Sequence, residues 1–459
     1  MLTFIKRKIY RIIDNLQPTQ AMVLGFAIII LTGAILLSLP MASQNGESVG
    51  FINALFTSTS AVCVTGLIVV DTATHWTLFG QIIIIMLIQV GALGFMTIAT
   101  LFALIAKKKI QLKEMLFMQE SLNQFNLSGL VRLTRHLLLI TLFFEGLGAL
   151  ILSTEFVPQL GFTKGLWYSV FHSISAFCNA GFDLMGSISG EFTSLTSYVN
   201  NFTVSITISL LILFGGIGFP VILDILKVKD FKKLGLHSKM AITTTGIVTL
   251  VSVLFILIVE YNNPNTLVNL SFIEKLVASL FQSMTARTAG FNTVDLGLMS
   301  QAGIFMIIIL MFIGASPAST GGGVKTTTIA TVALYVKSSI LKKEDVEAFG
   351  RRLNLSIVKK SMGIFFIIIT MVSIGTLLIS MLQPNFSLLE SWFEVMSAIT
   401  TAGLSIVGSS NLSMISKLII ILYMFIGRVG SLTMLLALTA NSKAKKAHIR
   451  YPEGKILVG

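Results

Sequence analysis

Four short segments of the chain end in a glycine and otherwise share little side-chain chemistry. They read FTSTSAVCVTGL, FHSISAFCNAGF, LFQSMTARTAGF and FEVMSAITTAGL, with Gly66, Gly181, Gly290 and Gly403 in register. The glycines lie 115, 109 and 113 residues apart. Ten positions before each stand Phe56, Phe171, Leu280 and Phe393, the third repeat slipping so that Phe281 comes one place along. Six before stand Ser60, Ser175, Met284 and Ser397. The residues next to the glycine are Cys63-Val64-Thr65, Cys178-Asn179-Ala180, Arg287-Thr288-Ala289 and Thr400-Thr401-Ala402. With side chains so unlike, the common element is the backbone. Four equivalent loops can turn successive carbonyls to one axis and replace the hydration shell of a monovalent cation. Glycine supplies the backbone angles this needs, and a short helix before each loop aims its negative end at the centre. The expected chemistry is therefore cation coordination by main-chain oxygens, with these sixteen residues as the filter. Cys63 and Cys178 share a position with Arg287 and Thr400, which argues against a thiol metal site. Arg287 is expected to turn away and pair with an acid, because a positive charge on the axis would oppose cations.

The elements that must position these loops lie in lipid. The chain has 459 residues, 54% hydrophobic and 12% charged, with a mean hydropathy of +0.88, whereas soluble proteins carry about 25% charged residues. Long apolar spans run over about 20–41, 77–106, 136–154, 201–226, 240–260, 302–336, 361–382 and 414–440. Several reach the roughly 20 residues a crossing needs. The first is too long for a signal h-region and reads as a retained helix. The glycine segments fall between spans 1–2, 3–4, 5–6 and 7–8, and are of a length typical of re-entrant helices. The expectation is an all-α polytopic membrane protein: eight transmembrane helices in four helix–pore loop–helix repeats around one pseudo-fourfold pore. The boundaries are 20–106, 130–226, 238–336 and 358–440, with cytoplasmic ends 1–19 and 441–459.

Net charge is +13, but its distribution speaks against nucleic acid. Most Lys and Arg fall before residue 20, at 107–135, 227–239 and 337–360, and after 442. These segments alternate with others that are nearly free of them. Positive charge marks the cytoplasmic side, so both termini are expected inside a cell membrane, with anionic lipid as a secondary partner.

The second span of each repeat carries Gly91-x-x-Gly94, Gly215-x-x-Gly218, Gly314-x-x-Pro317 and Gly427-x-x-Gly430. Small residues there permit close approach. Only the sixth span reads as interrupted, by GASPASTGGGVKTTT. Pro317 and the triplet Gly321, Gly322, Gly323 do not continue a stable helix. GGGVKT is no phosphate-binding loop, since Val324 stands where glycine is required. The stretch reads as a flexible intramembrane gate, comprising Gly314, Pro317, Gly321, Gly322, Gly323 and Lys325. Charges at membrane depth need a partner or a function; among them, Arg428 reads as a barrier or gate latch and Glu145 as structural.

Catalytic residues are not expected: HExxH, GxSxG, metal-ligand clusters and intramembrane Asp pairs are missing, and the five histidines are scattered. The loop motifs, including NAGFD (179–183) and RTAGFNTVD (287–295), resemble those of the Trk/Ktr/HKT potassium transporter superfamily, specifically its Ktr-type (KtrB-like) membrane subunits. The resemblance covers about residues 20–450. It implies potassium uptake through a homodimer with one pore per subunit. It also implies a cytosolic nucleotide-binding regulatory ring (RCK/KtrA-like) on another chain, since no dinucleotide fingerprint occurs here. Potassium would be the substrate, with no cofactor in this chain. Sodium coupling and passive channel conduction stay open, because both need the same filter.

Overall fold

The computed structural model describes residues 18–94 and 130–430, with Thr97 and Met115. Helices of ten or more residues are numbered here in chain order. Each repeat opens on a long apolar helix: α1 (Pro18–Leu37), α4 (Leu130–Leu160), α8 (Leu236–Glu260) and α12 (Leu355–Leu382). All four contain stretches long and apolar enough to cross a bilayer. Leu142, Phe143, Leu150, Leu250, Ile258, Leu377 and Met381 stand exposed on them. Apolar exposure on this scale marks a surface that meets lipid.

Between the long helices sit four short ones: α2 (Phe51–Cys63), α5 (Phe162–Phe177), α9 (Phe272–Thr285) and α13 (Leu388–Thr400). At 13–16 residues and 1.5 Å per residue they reach about 20–24 Å, too short to span. They are buried on nearly every side; from Phe56 to Cys63 no residue of α2 is exposed. Ser271 with Glu274 and Ser387 with Glu390 form capping boxes that fix where α9 and α13 begin, each satisfying two otherwise orphaned donors. Phe56, Phe171, Phe281 and Phe393 are all fully buried, so Phe281 rather than Leu280 takes the repeated aromatic place.

The second helices are α3 (Leu78–Leu93), α6 (Phe202–Gly216), α10 (Gln301–Ile313) and α14 (Met414–Val429). Side chains of Thr77, Asn201, Ser300 and Ser413 cap their N-termini, a preferred use of hydroxyl and amide groups. All four end just before a glycine of positive φ, Gly94, Gly218, Gly314 and Gly430, with φ of 79°, 98°, 61° and 94°. In the second repeat the chain then turns by 94° into α7 (Phe219–Val228). The expectation of one interrupted span among three continuous ones is thus incorrect. Unbroken hydropathy concealed the turns because a left-handed glycine costs a helix without changing its apolar character. What sets the third repeat apart is the length of irregular chain, residues 314–325, before α11 (Thr326–Ile340) resumes.

Each second helix packs on the short helix of its own repeat and on that of the next: α3 on α2 and α5, α6 on α5 and α9, α10 on α9 and α13, α14 on α13 and α2. The last pair closes the ring. Contact is close because Gly91, Gly215 and Gly427 face the carbonyls of Val62, Phe177 and Ile399, where a Cβ would overlap the oxygen. On the face of the basic segments a hairpin of β1 (Glu347–Ala348) and β2 (Arg351–Arg352) follows α11. It seats Val346, Ala348 and Leu353 with Met240 and Val358 in a small separate core. Phe349 stands edge-on to Phe231 at 6.3 Å, joining the basic segments 227–239 and 337–360. The expectations for the N-terminal 17 residues, for the basic segment up to 129 and for the tail after 430 lie outside the described residues.

Candidate functional site

The loop glycines converge at the centre of the ring. A Cβ on Gly66 would stand 2.6 Å from the carbonyl oxygen of Ala180, and one on Gly181 would stand 2.7 Å from that of Ala289. For Gly290 the neighbour is the carbonyl oxygen of Ala402 at 3.1 Å, and for Gly403 it is that of Thr65, close enough to overlap. Each glycine therefore faces the carbonyl that precedes the next repeat's glycine, and the cycle closes. All four have positive φ, at 94°, 70°, 82° and 81°. Two residues earlier, Val64, Asn179, Thr288 and Thr401 are also left-handed, at 55°, 59°, 72° and 52°. Valine and threonine rarely adopt this region, so the loops impose it. Left-handed residues at matching places in the four loops give the four backbones the same local path.

Pore-helix hydroxyls brace the loops. The backbone N–H of Thr65, Ala180 and Ala402 donates to the carbonyl of Ser60, Ser175 and Ser397, at 2.8 Å in each case. Gly66 N–H donates to Ser60 Oγ at 3.1 Å, and Ser175 Oγ donates to the Phe182 carbonyl at 2.7 Å. In the third repeat Met284 holds the serine position and Thr285 takes over, donating to Phe291 O at 2.7 Å. His172 was scattered in sequence but has a place here: its Nε2 accepts from Leu184 N–H at 3.2 Å, behind the second loop. The buried hydroxyls of Thr65, Thr288 and Thr401 have no hydrogen-bond partner among the described residues. Cys63 and Cys178 are free thiols. Arg287 departs from expectation. It is buried, its described contact is Nη2 to Met284 Sδ at 3.0 Å, and its Nε has no partner among the described residues. None of the ion pairs between described residues involves it.

The irregular segment 314–325 lies directly against these loops. A Cβ on Gly321 would run into the side chain of Thr288 with Asn179 close by, and one on Gly322 would stand 2.7 Å from the Thr400 carbonyl. Only glycine lets the strand approach this closely. Thr320 ties the segment to the second repeat, with Oγ1 donating to Phe177 O at 3.1 Å and N–H to Gly215 O at 3.2 Å. Ser316 N–H donates to Gly216 O at 2.9 Å. Lys325 folds back on the segment, its Nζ donating to Gly321 O at 2.6 Å and Gly322 O at 3.2 Å. Arg428 joins three repeats, donating to Thr320 O at 2.6 Å, to Ala92 O at 3.0 Å and to Gly91 O. Thr320 and Ser316 escaped the sequence reading; the only available signal was the run of hydroxyls between proline and the glycine triplet.

Ring closure, buried re-entrant helices and carbonyl-lined loops define a helical membrane protein of four pseudosymmetric pore-loop repeats. The family model described as "Cation transport protein" (TrkH) matches residues 14–446. The potassium/sodium uptake protein NtpJ of Enterococcus hirae is 40% identical over the whole of both chains. The Ktr system potassium uptake protein B of Bacillus subtilis is 41% identical over 96% of this chain and 97% of its own. The crystal structure of the potassium transporter TrkH from Vibrio parahaemolyticus superposes with a TM-score of 0.67 at 19% identity, covering 90% of this chain and 84% of that one. The chain belongs to the TrkH cation transport protein family, and is a membrane transporter rather than an enzyme.

Proposed function

We propose that this chain takes up potassium across the cell membrane through a filter built from residues 63–66, 178–181, 287–290 and 400–403. The observation that carries the reading is the closed cycle in which each loop glycine abuts the next repeat's carbonyl. A ring of this kind offers a bare cation oxygens on all sides, which a lone loop does not. The names of the two 40%-class relatives point the same way. The segment 314–325, held by Arg428 and Lys325 beneath the loops, acts as the gate. Opening requires Thr320 to leave the carbonyls of Phe177 and Gly215.

The relatives named as parts of a Ktr system support a separate regulatory subunit, a cytosolic nucleotide-binding ring. The joined basic segments 227–239 and 337–360 are its docking face, and the transporter is a homodimer with both termini in the cytoplasm. Flux into liposomes holding the purified chain, with potassium inside or out and sodium present or absent, tests the function. Potassium-selective flux is expected. Equal flux of potassium and sodium would refute the filter, while dependence on sodium would distinguish coupled uptake from passive conduction.

A further inference from the structure

Behind the second loop three polar side chains from three elements meet in the membrane interior. Cys178, first residue of that loop, donates from Sγ to Gln89 Oε1 at 3.2 Å and lies 3.7 Å from Glu145 Oε1. Gln89 Nε2 in turn donates to Glu145 Oε2 at 3.0 Å. Gln89 belongs to α3 of the first repeat and Glu145 to α4 of the second. The cluster therefore spans a repeat boundary and ends on the residue before left-handed Asn179. Ser173 Oγ also donates to the Glu145 carbonyl at 2.6 Å, fixing α4 against the pore helix.

The first repeat supplies an internal control. There Ser58 Oγ donates to the Ile30 carbonyl at 2.7 Å, across the same sequence separation as Ser173 to Glu145. Ile30 is thus the counterpart of Glu145, as Cys63 is of Cys178. That repeat builds the same loop, with Val64 and Gly66 at positive φ, beside an isoleucine. A buried carboxyl is accordingly not needed to fold such a loop, and it is costly at membrane depth. Its hydrogen bonds end on Cys178, the first residue of the loop, so its effect falls on the loop's position relative to its three neighbours.

We propose that Gln89 and Glu145 are positioning residues that set the second loop's distance from the pore axis and so the discrimination between potassium and sodium. The proposal rests on the reading of these loops as the filter. Gln89 also sits two and three residues before Gly91 and Ala92, whose carbonyls receive Arg428, so the clamp and the gate latch share one helix end.

The test is competition against rubidium uptake by the full chain in liposomes, comparing excess potassium with excess sodium and normalising to protein inserted. Glu145→Gln keeps an acceptor for Gln89 and is expected to keep the wild-type competition ratio. Gln89→Leu and Glu145→Leu are expected to lower potassium preference about three- to tenfold, the worth of one hydrogen bond, and the double variant no further. Should the leucine variants fail to insert, Cys178→Ala and Cys178→Ser serve instead: alanine lowers the ratio and serine restores it. Wild-type ratios in Gln89→Leu, Glu145→Leu and Cys178→Ala, or slower uptake at an unchanged ratio, would overturn the proposal. Gly403→Ser, run alongside, separates the two readings. If it changes the ratio and the clamp variants do not, the filter stands and the clamp falls.

Discussion

At the scale of single residues, the loop glycines carry the most constraint, since each combines positive φ with a backbone oxygen where a Cβ would go. Gly403→Ser therefore meets both a disfavoured conformation and the Thr65 carbonyl. Gly290→Ser has slightly more room, with Gly181 Cα at 3.0 Å and the Ala402 oxygen at 3.1 Å. Both variants are expected to weaken discrimination against sodium, Gly403→Ser more severely, as read by growth of a potassium-uptake-deficient host at low potassium in rising sodium. Arg428→Ala removes donors to Thr320 and to the end of α3. It is expected to raise potassium flux about tenfold or more while leaving selectivity intact, since each charged hydrogen bond lost is worth about 1.5–3 kcal/mol. Flux at or below wild type with normal insertion would show that the arginine is not a latch. The glycines were legible because their register repeats. The left-handed state of Val64, Thr288 and Thr401 was not, because β-branched side chains argue locally against it and only the closed ring enforces it. Arg287 was misread for a related reason: a charge suggests an ion pair, and the buried guanidinium instead rests on Met284 Sδ.

At the scale of elements, the four short helices were readable from length and register: they end at Cys63, Phe177, Thr285 and Thr400, three to five residues before the loop glycines. The breaks in the second helices were not readable, apart from the one announced by proline and a glycine triplet. An apolar glycine motif looks alike whether it packs a straight helix or ends one. The irregular segment 314–325 remains the distinctive element, because it replaces helix with hydrogen bonds to its neighbours: Thr320 to Phe177 and Gly215, Ser316 to Gly216, Phe219 N–H to Ala318 O. If it blocks the path, deleting Ala318 to Gly323 should raise potassium flux and make it independent of any regulatory subunit. Stopped-flow flux into liposomes provides the measurement. A deletion that inserts normally, retains selectivity and conducts no faster would reduce the segment to a structural kink.

On the scale of the whole molecule, function requires four repeats to close around one axis, and closure is visible twice. It appears in the packing of α14 on α2 and in the contact of Gly403 with Thr65. The internal repeat made this architecture legible in sequence, whereas the junction of the two basic segments through Phe231 and Phe349 was not, since nothing local relates residues so far apart. That junction brings the two basic loops together on one face, the docking surface proposed above for a cytosolic ring. Lys343 and Arg352 already pair with Glu347 and Asp345 at exposed positions, and exposed pairs contribute about 0–1 kcal/mol. Reversing Lys342, Lys343, Arg351 and Arg352 to Glu should therefore spare the fold. It should abolish co-purification of the cytosolic ring, and retained binding would move the interface elsewhere. The central claim, however, is that the ring of backbone carbonyls selects potassium, and one comparison tests it directly. Rubidium uptake into liposomes carrying either the wild-type chain or Gly403→Ser would be measured against equal excesses of potassium and sodium. Potassium should suppress wild-type uptake far more than sodium does, and the two ions should approach equality in Gly403→Ser. Equal suppression in the wild type, or an unaltered ratio in the variant, would contradict the account.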